Sequence, residues 1–288
     1  MSNHPLIRSF LFVPAANEKL LASALGRSAD AIILDLEDGT HPSMRGTARA
    51  RIADSIASIK AQGKIAAVRI NADWLSAVQD LNAVIEGGAD IIVLPKVEHP
   101  RDVQILDRIV DELALRAQLP SPHARFLLQI ESAKALPRVY EIAQACARIM
   151  GMMLGSEDYA LDCGAIPTPD TLFFASMTVL NASRAAGIQP IGLIDSIASL
   201  GDLEAFTKGL VRAKALGFRG AVVVHPKFLD AINACYTPTA EQIGQAQEIV
   251  QKFEQAFQQG LGAIKVGDLM IDKPVYLRAL ACLNQARA

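Results

Sequence analysis

The chain has 288 residues, 51% of them hydrophobic and 20% charged, with a net charge of −2. Such a composition buries a sizeable core and excludes wholesale disorder, and without a block of Lys or Arg it carries no electrostatic signature of a nucleic-acid or membrane surface. Met1 to Arg8 is short, polar and unlike a signal peptide, no apolar run reaches bilayer length, and the four cysteines form no C-x-x-C, so a cytoplasmic enzyme with reduced thiols is the expectation.

Apolar runs rich in Ile, Val and Leu recur along the chain. They are Phe10 to Ala15, Ala31 to Asp38, Ala66 to Asn71, Ile91 to Val97, Arg125 to Ser132, Ile149 to Asp158, Pro190 to Ser196 and Gly220 to Pro226. Continuous rather than alternating hydrophobicity is the mark of parallel strands buried on both faces. The segments between them have helical period; Met44, Ala48, Ile52, Ile56 and Ile59 form one apolar stripe. Eight strand–helix units in series, with no linker, predict a (β/α)8 TIM barrel over residues 1–235. A doubly wound open sheet is the competing architecture, but no G-x-G-x-x-G follows the first strand.

Residues 236–288 read as a C-terminal helical extension of the same domain, a candidate lid or subunit-contact arm or simple packing against the barrel. Thr239 and Gln242 have capping-box spacing, Ile243, Ala246, Val250, Phe253 and Phe257 repeat at helical intervals, and Gly260 supplies a stop. Ala263 to Pro274 reads as irregular, and a last helix starts near Val275.

Active sites of such barrels lie at the C-terminal ends of the strands. The polar residues there are Asp35, Glu37 and Asp38, Arg69 and Asn71, Lys96 and Glu98, Gln129 and Glu131, Glu157 and Asp158, Asp195, and His225. Carboxylates gathered at one mouth repel one another unless a positive charge sits among them. Oxygen donors without clustered His or Cys favour a hard ion such as Mg²⁺, which takes one or two protein carboxylates and leaves positions for water and substrate. Glu131 and Asp158 end adjacent strands and are able to share one ion, with Arg69 clamping a substrate carboxylate. For any one of these charges, a salt bridge along the rim is the alternative. His225 reads as a structural hydrogen-bonding residue, and His4, His41, His99 and His123 as loop residues.

At these same positions the sequence resembles the citrate lyase β-subunit-like family, which includes malyl-CoA and citramalyl-CoA lyases. The matching stretches are Phe12-Val13-Pro14, Asp35-Leu36-Glu37-Asp38-Gly39, Val68-Arg69-Ile70-Asn71, Leu94-Pro95-Lys96-Val97-Glu98, Ile130-Glu131-Ser132-Ala133, Gly155-Ser156-Glu157-Asp158, Ile194-Asp195, His225-Pro226 and Met270-Ile271-Asp272-Lys273-Pro274. The resemblance implies a Mg²⁺-dependent carbon–carbon lyase (Mn²⁺ being the alternative ion) that interconverts a 3-hydroxyacyl-CoA thioester with an acyl-CoA and an α-keto acid. It makes Glu131 and Asp158 the metal ligands, Arg69 the holder of the keto-acid carboxylate, and Asp272 the catalytic acid/base reaching a neighbouring subunit. Phe12, Lys19, Ile194 and Asp195 match positions that contact the acyl-CoA, and Glu37 and Asp38 lie just behind the metal. It also implies a homo-oligomer, a trimer or hexamer. The alternatives are a malyl-CoA-type thioesterase and a citrate lyase β subunit acting on an acyl-carrier-protein thioester within a complex.

Overall fold

The structure, a computed structural model, describes residues 6–119, 124–198 and 201–287. Met1 to Pro5, with His4, and His123 lie outside the described residues. The chain divides into two compact units, residues 7–233 and residues 234–287 with Leu6.

In the first unit, β1 (Ser9–Pro14), β2 (Ala31–Asp35), β3 (Ile65–Arg69), β4 (Ile91–Leu94), β5 (Arg125–Ile130), β6 (Ile149–Leu154), β7 (Gln189–Pro190) and β8 (Ala221–Val223) form one parallel sheet. Their order is β7-β6-β5-β4-β3-β2-β1-β8. Backbone hydrogen bonds from Gly192 to the Gly220 carbonyl and from Arg219 to the Pro190 carbonyl, both 2.9 Å, tie the end strands β7 and β8 together. The Gln189 side-chain amide adds a bond of 2.7 Å to the Ile7 carbonyl and one of 3.0 Å to the Arg219 carbonyl. The sheet thus curls back on itself, consistent with a TIM-like barrel.

Between the strands lie α1 (Glu18–Leu25), α2 (Arg45–Ala50), α3 (Ile52–Ala61), α4 (Trp74–Glu86), α5 (Pro100–Arg116), α6 (Val139–Ile142), α7 (Ser156–Asp162), α8 (Pro169–Ala186) and α9 (Leu203–Leu216), with α10 (Leu229–Tyr236) after β8. The reason for α5 is legible in its sequence. His99 and Asp102 form a capping box, Pro100 occupies the first turn, and Val103, Leu106, Val110 and Ala114 bury one stripe. The stripe expected from Met44 to Ile59 is interrupted. Pro42–Met44 makes a separate 3₁₀ turn that leaves Met44 exposed, and Ala48, Ile52, Ile56 and Ile59 are buried from α2 and α3.

Every strand is shorter at its C-terminal end than the apolar runs suggest. Polar residues there leave the ladder and turn into the mouth, so β2 stops at Asp35 and β6 at Leu154, and Ser156 to Asp158 begin a helix instead. The seventh run departs most: β7 holds two residues, and Asp195 lies five residues past its end.

The second unit holds α11 (Ala240–Gln258), the antiparallel pair β9 (Ile264–Val266) and β10 (Leu269–Ile271), and α12 (Lys273–Arg287). The Thr239–Gln242 capping box is present. Phe253 stacks on Tyr276 of α12 with ring centroids 4.8 Å apart. Phe257, expected on the buried stripe, is exposed and stacks on Phe253, while Ala256 is buried instead. The stretch expected to be irregular is a hairpin, turned by Gly267 with φ +57° at the first central position. No helix among the described residues is long and apolar enough to cross a membrane, and no disulfide joins the cysteines.

Candidate active site

Alternation along the strands builds the site. Phe10, Ala31, Ile33, Ala67, Val93, Leu127 and Met153 belong to one interior cluster. Two residues further along, the same inward faces carry Phe12, Asp35, Arg69 and Gln129, and Glu131 lies two beyond Gln129. The apolar interior therefore passes directly into a charged layer. That layer lines a cavity of about 480 Å³ whose walls include Phe12, Asp35, Arg69, Glu131 and Asp158.

Asp35 and Arg69 face each other in the β2–β3 register. Arg69 donates from Nε and Nη2 to the two oxygens of Asp35, each at 2.7 Å. Asp35, only 4% exposed, also accepts from the backbone N–H of Glu37 at 3.0 Å and of Gly39 at 2.8 Å. Arg69 lies over the Phe12 ring, 4.8 Å from its centroid. Its guanidinium pKa is raised further by Asp35, Glu37 and Glu131, which outweigh the lowering that burial causes.

Glu37 is buried between two cations. Its Oε1 accepts from Lys96 Nζ at 2.9 Å, and its Oε2 lies 3.2 Å from Arg69 Nη1. Burial raises the Glu37 pKa more than Arg69 and Lys96 lower it. Lys96 has the left-handed φ of +50°, which presents its backbone N–H to Glu131 Oε2 at 2.7 Å while its ammonium reaches Glu37. Asp38 lines the cavity, with Oδ2 3.6 Å from Lys96 Nζ.

Glu131 is the most perturbed carboxyl of the site. Burial, then the nearby charges of Glu37 and Asp158, push its pKa up to about 7 against the pull of the Lys96 N–H and of Arg69. Gln129 Nε2 donates to its Oε1 at 3.3 Å. Gly155 leaves the carboxylate its room: a Cβ there would lie 2.4 Å from Glu131 Oε1. A buried carboxylate facing a second carboxylate across a cavity is relieved by a cation. No group of three or more His, Cys, Asp or Glu side chains converges on a metal position among the described residues. The Glu131–Asp158 pair instead suits a hard ion that keeps other positions for water and substrate.

The remaining expectations divide. Asp195 lines the same cavity and accepts from the Ser196 N–H at 2.8 Å. Lys19 is exposed on α1 and is not part of the cavity wall, which its neighbour Leu20 joins instead. Ile194 points the other way, into an apolar cluster with Leu172, Leu180 and Phe218. Asp272 belongs to the second unit, where its Oδ1 accepts from the Val275 N–H at 3.1 Å and caps α12. His225 accepts from the Lys227 N–H at 3.1 Å, the structural role expected. Sequence reasoning placed Asp35, Lys96 and Gln129 at strand ends and Gly155 in a matching stretch, but gave none of them a role. Period-two spacing from the interior residues would have put Asp35 and Gln129 on the inward face, whereas nothing local signals the left-handed backbone of Lys96.

Residues 8–226 match the family described as HpcH/HpaI aldolase/citrate lyase. The citrate lyase subunit beta of Escherichia coli K12 is 33% identical, the match covering 97% of this chain and 93% of that protein. Two relatives from Cereibacter sphaeroides are each 30% identical. One is a (3S)-malyl-CoA thioesterase, matched over 99% of this chain and 96% of the relative. The other is an L-malyl-CoA/β-methylmalyl-CoA lyase, matched over 95% and 91%. Among solved structures, the protein CitE from Mycobacterium tuberculosis in complex with magnesium, acetoacetate and coenzyme A superposes with a TM-score of 0.75 at 26% identity, covering 98% of this chain and 99% of that one.

Proposed function

Because the chain belongs to the HpcH/HpaI aldolase/citrate lyase family, we propose that it is a Mg²⁺-dependent carbon–carbon lyase of malyl-CoA or citramalyl-CoA type, cleaving a 3-hydroxyacyl-CoA thioester to an acyl-CoA and an α-keto acid. One observation carries this reading. Arg69 is the sole cationic side chain among the described residues that line the cavity, and it stands with Glu131 and Asp158. One such clamp suits a substrate with one free carboxylate. Oxaloacetate, the keto acid of a citryl thioester, brings a second carboxylate, and the other charged residues that line the cavity, Asp38, Glu157 and Asp195 among them, are acidic.

Glu131 and Asp158 are the residues that would hold Mg²⁺, which when bound polarises the keto-acid oxygens as a Lewis acid. Arg69, fixed by Asp35, holds the substrate carboxylate in place. In the cleavage direction the 3-hydroxyl gives up its proton and the bond between C2 and C3 breaks. The electron pair passes to the thioester enolate, which takes a proton at the α-carbon. Asp272 is assigned that proton exchange by family resemblance, acting on a neighbouring subunit. The first unit is read as a closed (β/α)8 barrel, the second as a lid or subunit-contact arm, and the protein as a cytoplasmic trimer or hexamer.

The (3S)-malyl-CoA thioesterase relative supports a second reading, hydrolysis of the same thioester. Product analysis on malyl-CoA and citramalyl-CoA, with and without Mg²⁺, decides. Glyoxylate or pyruvate with the acyl-CoA marks the lyase, and free CoA with the hydroxy acid marks the thioesterase. Activity confined to an acyl-carrier-protein thioester would make the protein a complex subunit instead, as the Escherichia coli relative's name implies for that protein.

A further inference from the structure

Arg69 has two carboxylates beside it but hydrogen-bonds only one. Asp35 takes Nε and one N–H of Nη2. Glu37 Oε2, 3.2 Å from Nη1, is a buried acceptor that forms no hydrogen bond. A buried carboxylate oxygen left this way beside a donor is costly, and a small rotation would let it take the Nη1 N–H. The other oxygen of the same carboxylate is bound by Lys96 Nζ at 2.9 Å. Lys96 reaches it from a left-handed residue whose backbone N–H is simultaneously fixed on Glu131. That conformation is strained for a side chain with a Cβ, so the surrounding contacts must hold it.

We propose that Lys96 is a positioning residue for substrate: its ammonium restrains Glu37 by one oxygen, keeping the outer N–H groups of Arg69 free for the substrate carboxylate. Lys96 acts through Glu37. The proposal rests on the reading of Arg69 as the carboxylate clamp, and the experiment separates the two.

Binding of pyruvate and of glyoxylate in the presence of Mg²⁺ is measured by calorimetry for the wild type, Lys96→Gly, Lys96→Arg, Glu37→Gln, the Lys96→Gly/Glu37→Gln double variant and Arg69→Ala. Glycine adopts the positive φ without strain and keeps the N–H on Glu131, so Lys96→Gly removes the ammonium alone. Lys96→Gly is expected to weaken keto-acid binding about tenfold, the worth of one charge-assisted hydrogen bond, with Mg²⁺ affinity held within about twofold. Lys96→Arg keeps the restraint and stays within about threefold of the wild type, and the double variant recovers to the level of Glu37→Gln alone. The proposal is overturned if Lys96→Gly binds keto acid as the wild type does, if Glu37→Gln fails to rescue it, or if Mg²⁺ affinity falls as far as keto-acid affinity. Arg69→Ala that still binds keto acid like the wild type would instead sink the reading of Arg69 itself.

Discussion

Asp35 and Arg69 are register partners on β2 and β3, and the carboxylate of the first meets the guanidinium of the second through two hydrogen bonds of 2.7 Å. The same carboxylate anchors the loop after β2 through the N–H groups of Glu37 and Gly39. Sheet register and the aim of the Arg69 guanidinium are therefore one feature.

Asp35→Ala leaves a buried guanidinium without its partner and two backbone donors unsatisfied. Loss of about 3–5 kcal/mol of stability is expected, read by urea unfolding. In whatever folded fraction remains, KM for the substrate rises. Wild-type stability in this variant would show that the pair contributes nothing.

The raised pKa of Glu131 links stability to pH. With a folded pKa of about 7 against an ordinary 4.5, the group contributes stability that is fully present below pH 4.5 and is lost as pH rises through about 7. The loss amounts to roughly 3 kcal/mol. The metal-free wild type should thus lose stability relative to Glu131→Gln between pH 5 and 7.5, as followed by thermal melts, and Mg²⁺ should restore it in the wild type only. Parallel pH profiles for the two proteins would contradict the assignment.

Gly155→Ala places a methyl 2.4 Å from Glu131 Oε1. The carboxylate has to move, so Mg²⁺ affinity should fall by at least about tenfold, with a stability cost of about 1–3 kcal/mol from overpacking. Calorimetric titration with Mg²⁺ measures the first and denaturant unfolding the second.

Asp272→Asn separates chemistry from structure. Asn caps a helix as well as Asp does, so the α12 cap at Val275 survives and stability should change by less than about 0.5 kcal/mol. Turnover should fall by roughly 10²–10⁴, the scale of a lost general acid/base, with Mg²⁺ binding intact. Undiminished turnover would remove Asp272 from the mechanism.

Chelator treatment should abolish turnover, and added Mg²⁺ should restore it. An assay of acyl-CoA release before and after dialysis against EDTA is the check.

The strands were legible because continuous Ile, Val and Leu runs have few other uses, and the carboxylates were legible because they follow those runs. Their extents were not, since a run such as Ile149 to Asp158 does not mark where β6 ends at Leu154 and α7 begins at Ser156. Lys19 and Ile194 show a different limit. A matching motif gives a residue's place in the chain, while the direction of its side chain depends on the local turn and on alternation that fails once a strand ends. Asp35 was placed at the mouth but its pairing was not legible: a strand-end carboxylate that pairs with a neighbour looks the same in sequence as one that faces a ligand.

The notch at Gly155 makes two distant positions dependent on each other. Glu131 lodges its Cγ and its head group in volume that another residue's side chain would ordinarily fill, the Cγ itself only 2.5 Å from where a Cβ at 155 would stand, so variation at 155 is tolerable only if 131 gives up its carboxylate. In lineages that diverge at this site, a larger residue at 155 should arrive together with Ala or Gly at 131, and a protein engineer who changes one without the other inherits the collision.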